Sequence, residues 1–144
     1  MMPSRWIWLS AACVFIASFV QASPCDPASP DQPSASSWMQ LTAPTLDLKY
    51  RFLPETVAVS QPLSLEVIAC PKPGAAALER VRVDARMPAH GHGMNYRPQA
   101  TQVAVGHYRF EGLILHMPGH WQLIFDAVQV GQRTRLTAAL ELTP

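Results

Sequence analysis

Apolar and polar positions alternate through most of the chain. Leu46, Leu48, Tyr50 and Phe52 are separated by Asp47, Lys49 and Arg51. Leu63, Leu65, Val67 and Ala69 keep the same two-residue spacing, as do Val81, Val83, Ala85 and Met87 between Arg80, Arg82, Asp84 and Arg86. Tyr108 and Phe110 continue the theme. Leu113, Leu115 and Met117 then take the opposite parity, so Gly112 marks an expected bulge. Trp121, Leu123, Phe125 and Ala127 form another set, and Leu136, Ala138, Leu140 and Leu142 the last. Neighbouring side chains of a strand point to opposite faces, so each set reads as one buried face. Pro and Gly fill the gaps, and no amphipathic helix is evident. The pattern predicts about seven strands, at 46–52, 57–70, 80–87, 101–105, 107–116, 120–130 and 133–142. Short strands at this spacing imply an all-β fold, an immunoglobulin-like antiparallel β-sandwich with Trp121 in its core.

The first 45 residues break the pattern. Arg5 precedes an apolar run from Trp6 to Val20, and Val20-Gln21-Ala22 is a small-residue cleavage pattern. This is the layout of a secretory signal peptide, residues 1–22. The run is shorter than the ~20 residues a membrane helix needs. No later segment is apolar enough to span a bilayer, so no permanent span is expected after cleavage; retention of 1–22 as an anchor is the alternative. Residues 23–45 begin "SPCDPASPDQPSAS" and read as a Pro/Ser-rich flexible tether, leaving 46–144 as the sandwich. The expected location is periplasmic or secreted. Cys25 and Cys70 remain after cleavage, and an oxidising compartment makes a disulfide between them the default. Closing so long a loop is worth up to roughly 4 kcal/mol in the chain-entropy model.

Charge removes two classes of partner. Loss of Arg5 brings the 11 Lys and Arg level with the 10 Asp and Glu. A neutral domain has no electrostatic case for nucleic acid or an anionic membrane. There is also no G-x-S-x-G elbow, no H-E-x-x-H and no phosphate-binding glycine loop, and the carboxylates are scattered, so no enzyme is expected.

The chemistry concentrates in "MPAHGHGMNYRP" and "HMPGH". All 5 histidines lie between 90 and 120, as do Met87, Met94 and Met117. Tracing the strands up and down brings the loop after Met87 and the turn from His116 to His120 to one pole. His107 and Cys70 fall at the other. The expected metal site takes His90, His92 and Met94 as one wall and His116 and His120 as the other, with Gly91 and Gly93 letting the rings converge. Imidazole is a borderline ligand and thioether a soft one, so the mixture favours copper, Cu(I) through Met94 or Cu(II) through the imidazoles. Met87 is in phase with Val81, Val83 and Ala85 and reads as core. His107 reads as a surface residue. The competing reading is a non-metal module that docks an envelope partner through the same loops.

The segments "DARMPAHGHGMNYRP" and "GHYRFEGLILHMPGHWQLIFDA" resemble the YtkA-like family of small exported bacterial domains. The matching residues are Met87-Pro88, the run from His90 to Met94, and Met117-Pro118-Gly119 with Trp121. The resemblance covers roughly residues 45–142 and implies an immunoglobulin-like sandwich outside the cytoplasmic membrane. A looser similarity to the extracytoplasmic part of FixH-like proteins implies a partner in copper handling or oxidase assembly. Oligomeric state is left open.

Export gives the first prediction. Intact-mass analysis of protein recovered from the periplasm is expected to show Ser23 as the first residue; a species that keeps the apolar run refutes cleavage after Ala22.

Overall fold

The structure, a computed structural model, describes residue 25, residues 38–95 and residues 97–144. The signal peptide, its cleavage site and most of the tether lie outside the described residues. Among the described residues the chain forms nine strands in two antiparallel sheets. These are β1 (Met39–Thr42), β2 (Leu46–Leu53), β3 (Pro62–Pro71), β4 (Leu78–Met87), β5 (His92–Gly93), β6 (Gln99–Ala104), β7 (His107–Ile114), β8 (Gly119–Gln129) and β9 (Gln132–Leu142). One sheet has the order β1-β2-β3-β7-β6 and the other β5-β4-β8-β9. The two face each other as the immunoglobulin-like sandwich that the alternation predicts.

The predicted inward sets are the core. Leu46 and Leu48, Leu65 and Val67, Val83 and Ala85, Trp121 and Phe125 are all buried between the sheets. The parity change in β7 is a bulge: Leu65 pairs with Phe110 and Leu63 with Leu113, so one strand carries an extra residue there. Gly112 takes it up at φ +81°, a conformation open to glycine at little cost.

Three boundaries differ from expectation. The sandwich begins at Met39, inside the stretch assigned to the tether, because β1 adds to β2 as an outer strand. Residues 57–61 are a turn, and β3 starts at Pro62. A two-residue strand, β5, follows β4 and folds back on its end.

The lower pole is closed covalently. Cys25 and Cys70 form a disulfide. The Ala69 N–H donates to the Gly106 carbonyl at 2.8 Å, and a Cβ on Gly106 would stand 2.8 Å from the Ala69 carbonyl oxygen. Together with φ +75°, that approach admits only glycine in the β6–β7 turn.

The outer face of the five-stranded sheet holds a charge network across three strands. Arg51, Glu66 and Arg109 are register partners on β2, β3 and β7. Glu66 is 4% exposed, yet it pairs with Arg51 and, at 2.8 Å, with Arg109. The Trp38 ring covers Arg51 with the guanidinium carbon 4.8 Å from its centroid. His107, expected at the surface, is part of this network. Its Nε2 is buried with no hydrogen-bond partner, 3.9 Å from Glu66.

These groups make stability depend on pH. Burial pushes the Glu66 carboxyl up, but the hydrogen bonds from Arg109 and Arg51, with the charges of Arg51 and His107, outweigh it and hold the group below its ordinary value. Asp126 is held down by its hydrogen bond from Arg135, against burial. Burial lowers His107; Glu66 opposes that, and Arg51 and Arg109 reinforce it. Each group binds its proton less readily folded than unfolded, so acid favours unfolding. Urea unfolding is expected to show stability falling as pH drops below ~6.5 through His107, and again below ~4.3 through the carboxylates. His107→Gln is expected to flatten the first fall and leave the second. Constant or rising stability on going from neutral pH to the acid side of ~6.5 contradicts this account.

Candidate metal centre

The histidine-rich loop is a small hairpin built onto the end of β4. Met87 turns inward and is 1% exposed. The chain then reverses so tightly that the N–H groups of His90 and Gly91 both donate to the Met87 carbonyl, at 3.1 and 3.0 Å. Gly91 makes that reversal at φ +69°. β5 returns along β4, with His92 opposite Met87 and Gly93 opposite Arg86, and the Met94 N–H donates to Ala85 at 3.1 Å. A Cβ on Gly93 would lie 2.8 Å from the Ala85 carbonyl oxygen. The two glycines therefore do more than loosen the loop: one turns the chain and the other lets it lie against β4.

The facing wall is the β7–β8 connection. The Ser60 N–H donates to Leu115 at 2.8 Å and the Ser60 hydroxyl to the His116 carbonyl at 3.4 Å. The indole N–H of buried Trp121 donates to the Met117 carbonyl at 3.0 Å. Gly119, at φ +115°, has the Met87 methyl 3.2 Å from the place of a Cβ. The connection is thus held from three sides by Ser60, Trp121 and Met87.

These two supports bring three of the expected donors together. The His90 and His92 ring centroids are 5.8 Å apart, and those of His92 and His116 are 5.4 Å apart. The His116 ring meets Trp121 edge-on at 5.6 Å. His92 and Met94 line one open groove beside β4. Met94, expected as a ligand, is half-buried and packs against the core, as Met117 does. His120 stands apart. It immediately precedes the inward Trp121 and so takes the opposite parity: it is exposed on the outer face of the sheet, opposite Glu141, with Nδ1 3.3 Å from that carboxylate. Asp126 is engaged with Arg135 at 2.7 Å, so it supports no histidine.

The spacing suits a shared ion better than the present ring angles do. Two imidazoles that bind one metal at ~2.0–2.1 Å per bond have ring centres roughly 5–6.5 Å apart. Both measured distances fall in that range. His92 and His116 are stacked, with 27° between their planes, so rotation of the exposed His92 ring is needed to turn its nitrogen into the gap. Among the described residues, no three side chains of the His, Cys, Asp and Glu types converge on one point. An ion held here needs thioether sulfur as well as nitrogen. Trp121 was read from the sequence only as a core residue; its contact with His116 follows from the Gly-x-Trp spacing only once β8 is known to start at Gly119.

No family model matches the chain, and no curated protein matches it in sequence. A crystal structure of a DUF4426 family protein from Pseudomonas aeruginosa PAO1 is similar, with a TM-score of 0.53 and 10% sequence identity, over 76% of this chain and 98% of that one. The likeness is one of fold. The resemblance to YtkA-like domains rests on the two motifs alone. The structure gives Met87, Gly119 and Trp121 of those motifs packing duties, which separates them from the exposed histidines.

That separation is testable. Met87→Ala is expected to cost about 2–5 kcal/mol by urea unfolding. Replacing the exposed His90 and His92 by Ala is expected to change stability by no more than ~0.5 kcal/mol each. A large loss from the histidine pair would show that the hairpin depends on its rings.

Proposed function

We propose that the domain binds copper at the upper pole and acts as a carrier or sensor in the bacterial envelope. The observation that carries this reading is the row of exposed His90 and His92 and half-buried His116, spaced at 5.8 and 5.4 Å, beside a groove that His92 and Met94 line. Zinc takes nitrogen, oxygen and thiolate donors, and thioether is not among its usual ligands. Imidazole with thioether is the donor set that selects Cu(I). His90, His92, His116 and Met94 would hold the ion; His120 joins only by leaving Glu141. The disulfide fits an oxidising compartment. The YtkA-like resemblance and the looser likeness to FixH-like proteins support an envelope location and a partner in copper handling or oxidase assembly.

Titration of the purified mature protein with Cu(I) under chelator competition tests the reading, with Cu(II) and Zn(II) alongside. One Cu(I) per chain is expected. Binding should weaken in acid, because a protonated ring cannot ligate. The combined His90→Ala, His92→Ala and His116→Ala variant is expected to lose more than ~100-fold in affinity, beyond the 10–100-fold that outer partners of a metal site are worth. Binding retained by that variant places the site elsewhere. No binding by the parent leaves the pole to partner docking without metal.

A further inference from the structure

The outer face of the four-stranded sheet carries guanidinium groups that the chain's own carboxylates do not satisfy. Along β4 the exposed positions are Glu79, Arg80, Arg82, Asp84 and Arg86, and the Glu79 carboxylate accepts the Gly131 N–H at 3.1 Å. Asp126 on β8 is opposite Arg82, but both its oxygens are taken by Arg135, at 2.7 and 2.8 Å. Asp84 accepts the N–H of Ala85 at 2.8 Å. Arg86 donates to the amide oxygen of Gln122 at 2.8 Å. Arg82 and Arg97 make no hydrogen bond or ion pair among the described residues.

Two recesses meet on this face. An open groove of about 600 Å³ runs from His92 and Met94 over Ile124 to Asp84, between Arg86 and Arg135. Ile124 points outward yet is only 6% exposed, so it supplies an apolar floor. A second recess of about 330 Å³ shares Asp84 and is lined by Arg82, Val83, Arg97, Pro98 and Asp126. Arg82, Val83 and Asp84 are consecutive. Alternate residues of a strand point to opposite faces, so a recess that touches all three lies along the strand's edge. Among the described residues β5 pairs only with Arg86 and Met87, and no strand pairs with Leu78–Asp84 on this side, where Arg97 and Pro98 are the neighbours.

We propose that the open edge of β4 and the arginine-flanked recesses beside it dock an extended acidic segment of a partner protein, which adds as a strand along Leu78–Asp84. An unpaired edge offers backbone hydrogen bonds to an incoming strand, and side-chain pockets set which strand is accepted. Here the side chains at hand are Arg82 and Arg97, whose planar forks match carboxylates. Asp84 and Asp126 interrupt the arginines, which disfavours a continuous phosphate surface such as a membrane or nucleic acid and suits carboxylates placed at intervals. The edge is also narrow, which fits one strand rather than a bilayer. This inference does not rest on the copper reading. If both hold, the partner docks next to His92 and Met94.

Fluorescence polarisation with a labelled eight-residue peptide of alternating Glu and Val tests the surface, on the metal-free mature protein. Saturable binding is expected, with none by the Lys-Val counterpart. The double variant Arg82→Glu with Arg97→Glu should weaken binding by about tenfold or more. Lys49→Glu with Arg133→Glu makes the same charge change away from β4 and outside both recesses, and should change binding less than about threefold. The amide protons of Leu78–Asp84 should gain protection from exchange in the complex. The His90→Ala and His116→Ala variant, outside both recesses, should bind the peptide unchanged, whatever it does to copper. Absence of binding overturns the proposal, as does equal weakening by the two charge-reversed pairs or unchanged exchange at Leu78–Asp84. A concentration-dependent dimer that Arg82→Glu and Arg97→Glu dissolves would make a second copy the occupant instead.

Discussion

The Met87 methyl group rests 3.2 Å from where Gly119 would carry a Cβ, and the upper pole depends on that contact. It joins the last residue of β4 to the first of β8, the two central strands of their sheet. A Cβ at 119 would ask the methyl of this buried methionine to give by a few tenths of an ångström, and φ +115° disfavours a side chain there in any case. Trp121 then fixes the connection from below through the Met117 carbonyl. With both ends anchored, the hairpin after Met87 and the turn before Gly119 face each other, and His92 meets His116. The core thus positions the exposed rings without using them, which is why a loop with few buried atoms can be specific in geometry.

Apart from β6, which is exposed throughout, most strands were legible because they have a wetter and a drier face. That produces a period of two which a single substitution does not hide. Even the bulge could be read, since parity changes between Phe110 and Leu113. β1 and β5 could not. β1 is an outer strand whose burial does not alternate, and β5 is two residues long, so neither leaves a period. The site was half legible. Clustering of His and Met showed where the chemistry lies, and the up-and-down trace put His90, His92 and His116 at one pole. Parity also separates His120 from them: if Trp121 points in, its neighbour points out, towards Glu141. The packing of Met94 against the core was not legible, because a polar, glycine-rich setting says nothing of the core that the hairpin folds back upon. His107 was misread because its setting depends on Glu66, 41 residues earlier and a strand away.

Stability and recognition are placed at opposite ends and on opposite faces. The lower pole has the disulfide, the close Gly106–Ala69 approach and His107, all of which tie residues far apart in sequence. The outer face of the five-stranded sheet uses its charges on itself, with Glu66 shared between Arg51 and Arg109. A carboxylate this buried costs free energy to desolvate, and several partners are needed to offset it. Such a network resists change and offers little to a ligand. The other sheet differs: Arg82 and Arg97 are left over, and the exposed histidines lie at the end of the same strand.

β4 is where these roles meet. Its inward residues, Val81, Val83, Ala85 and Met87, are core; its outward ones are charged; its end carries the hairpin; and one edge is open over most of its length. Natural edges are usually blunted by charge, by short strands or by coverage. β5 covers only the end of β4, and the arginines protect the rest by repelling another basic edge. The same charge that prevents indiscriminate pairing admits an acidic strand, so protection and selectivity come from one set of side chains. A metal taken up by His92 and Met94 would then sit at the end of the groove where such a strand lies.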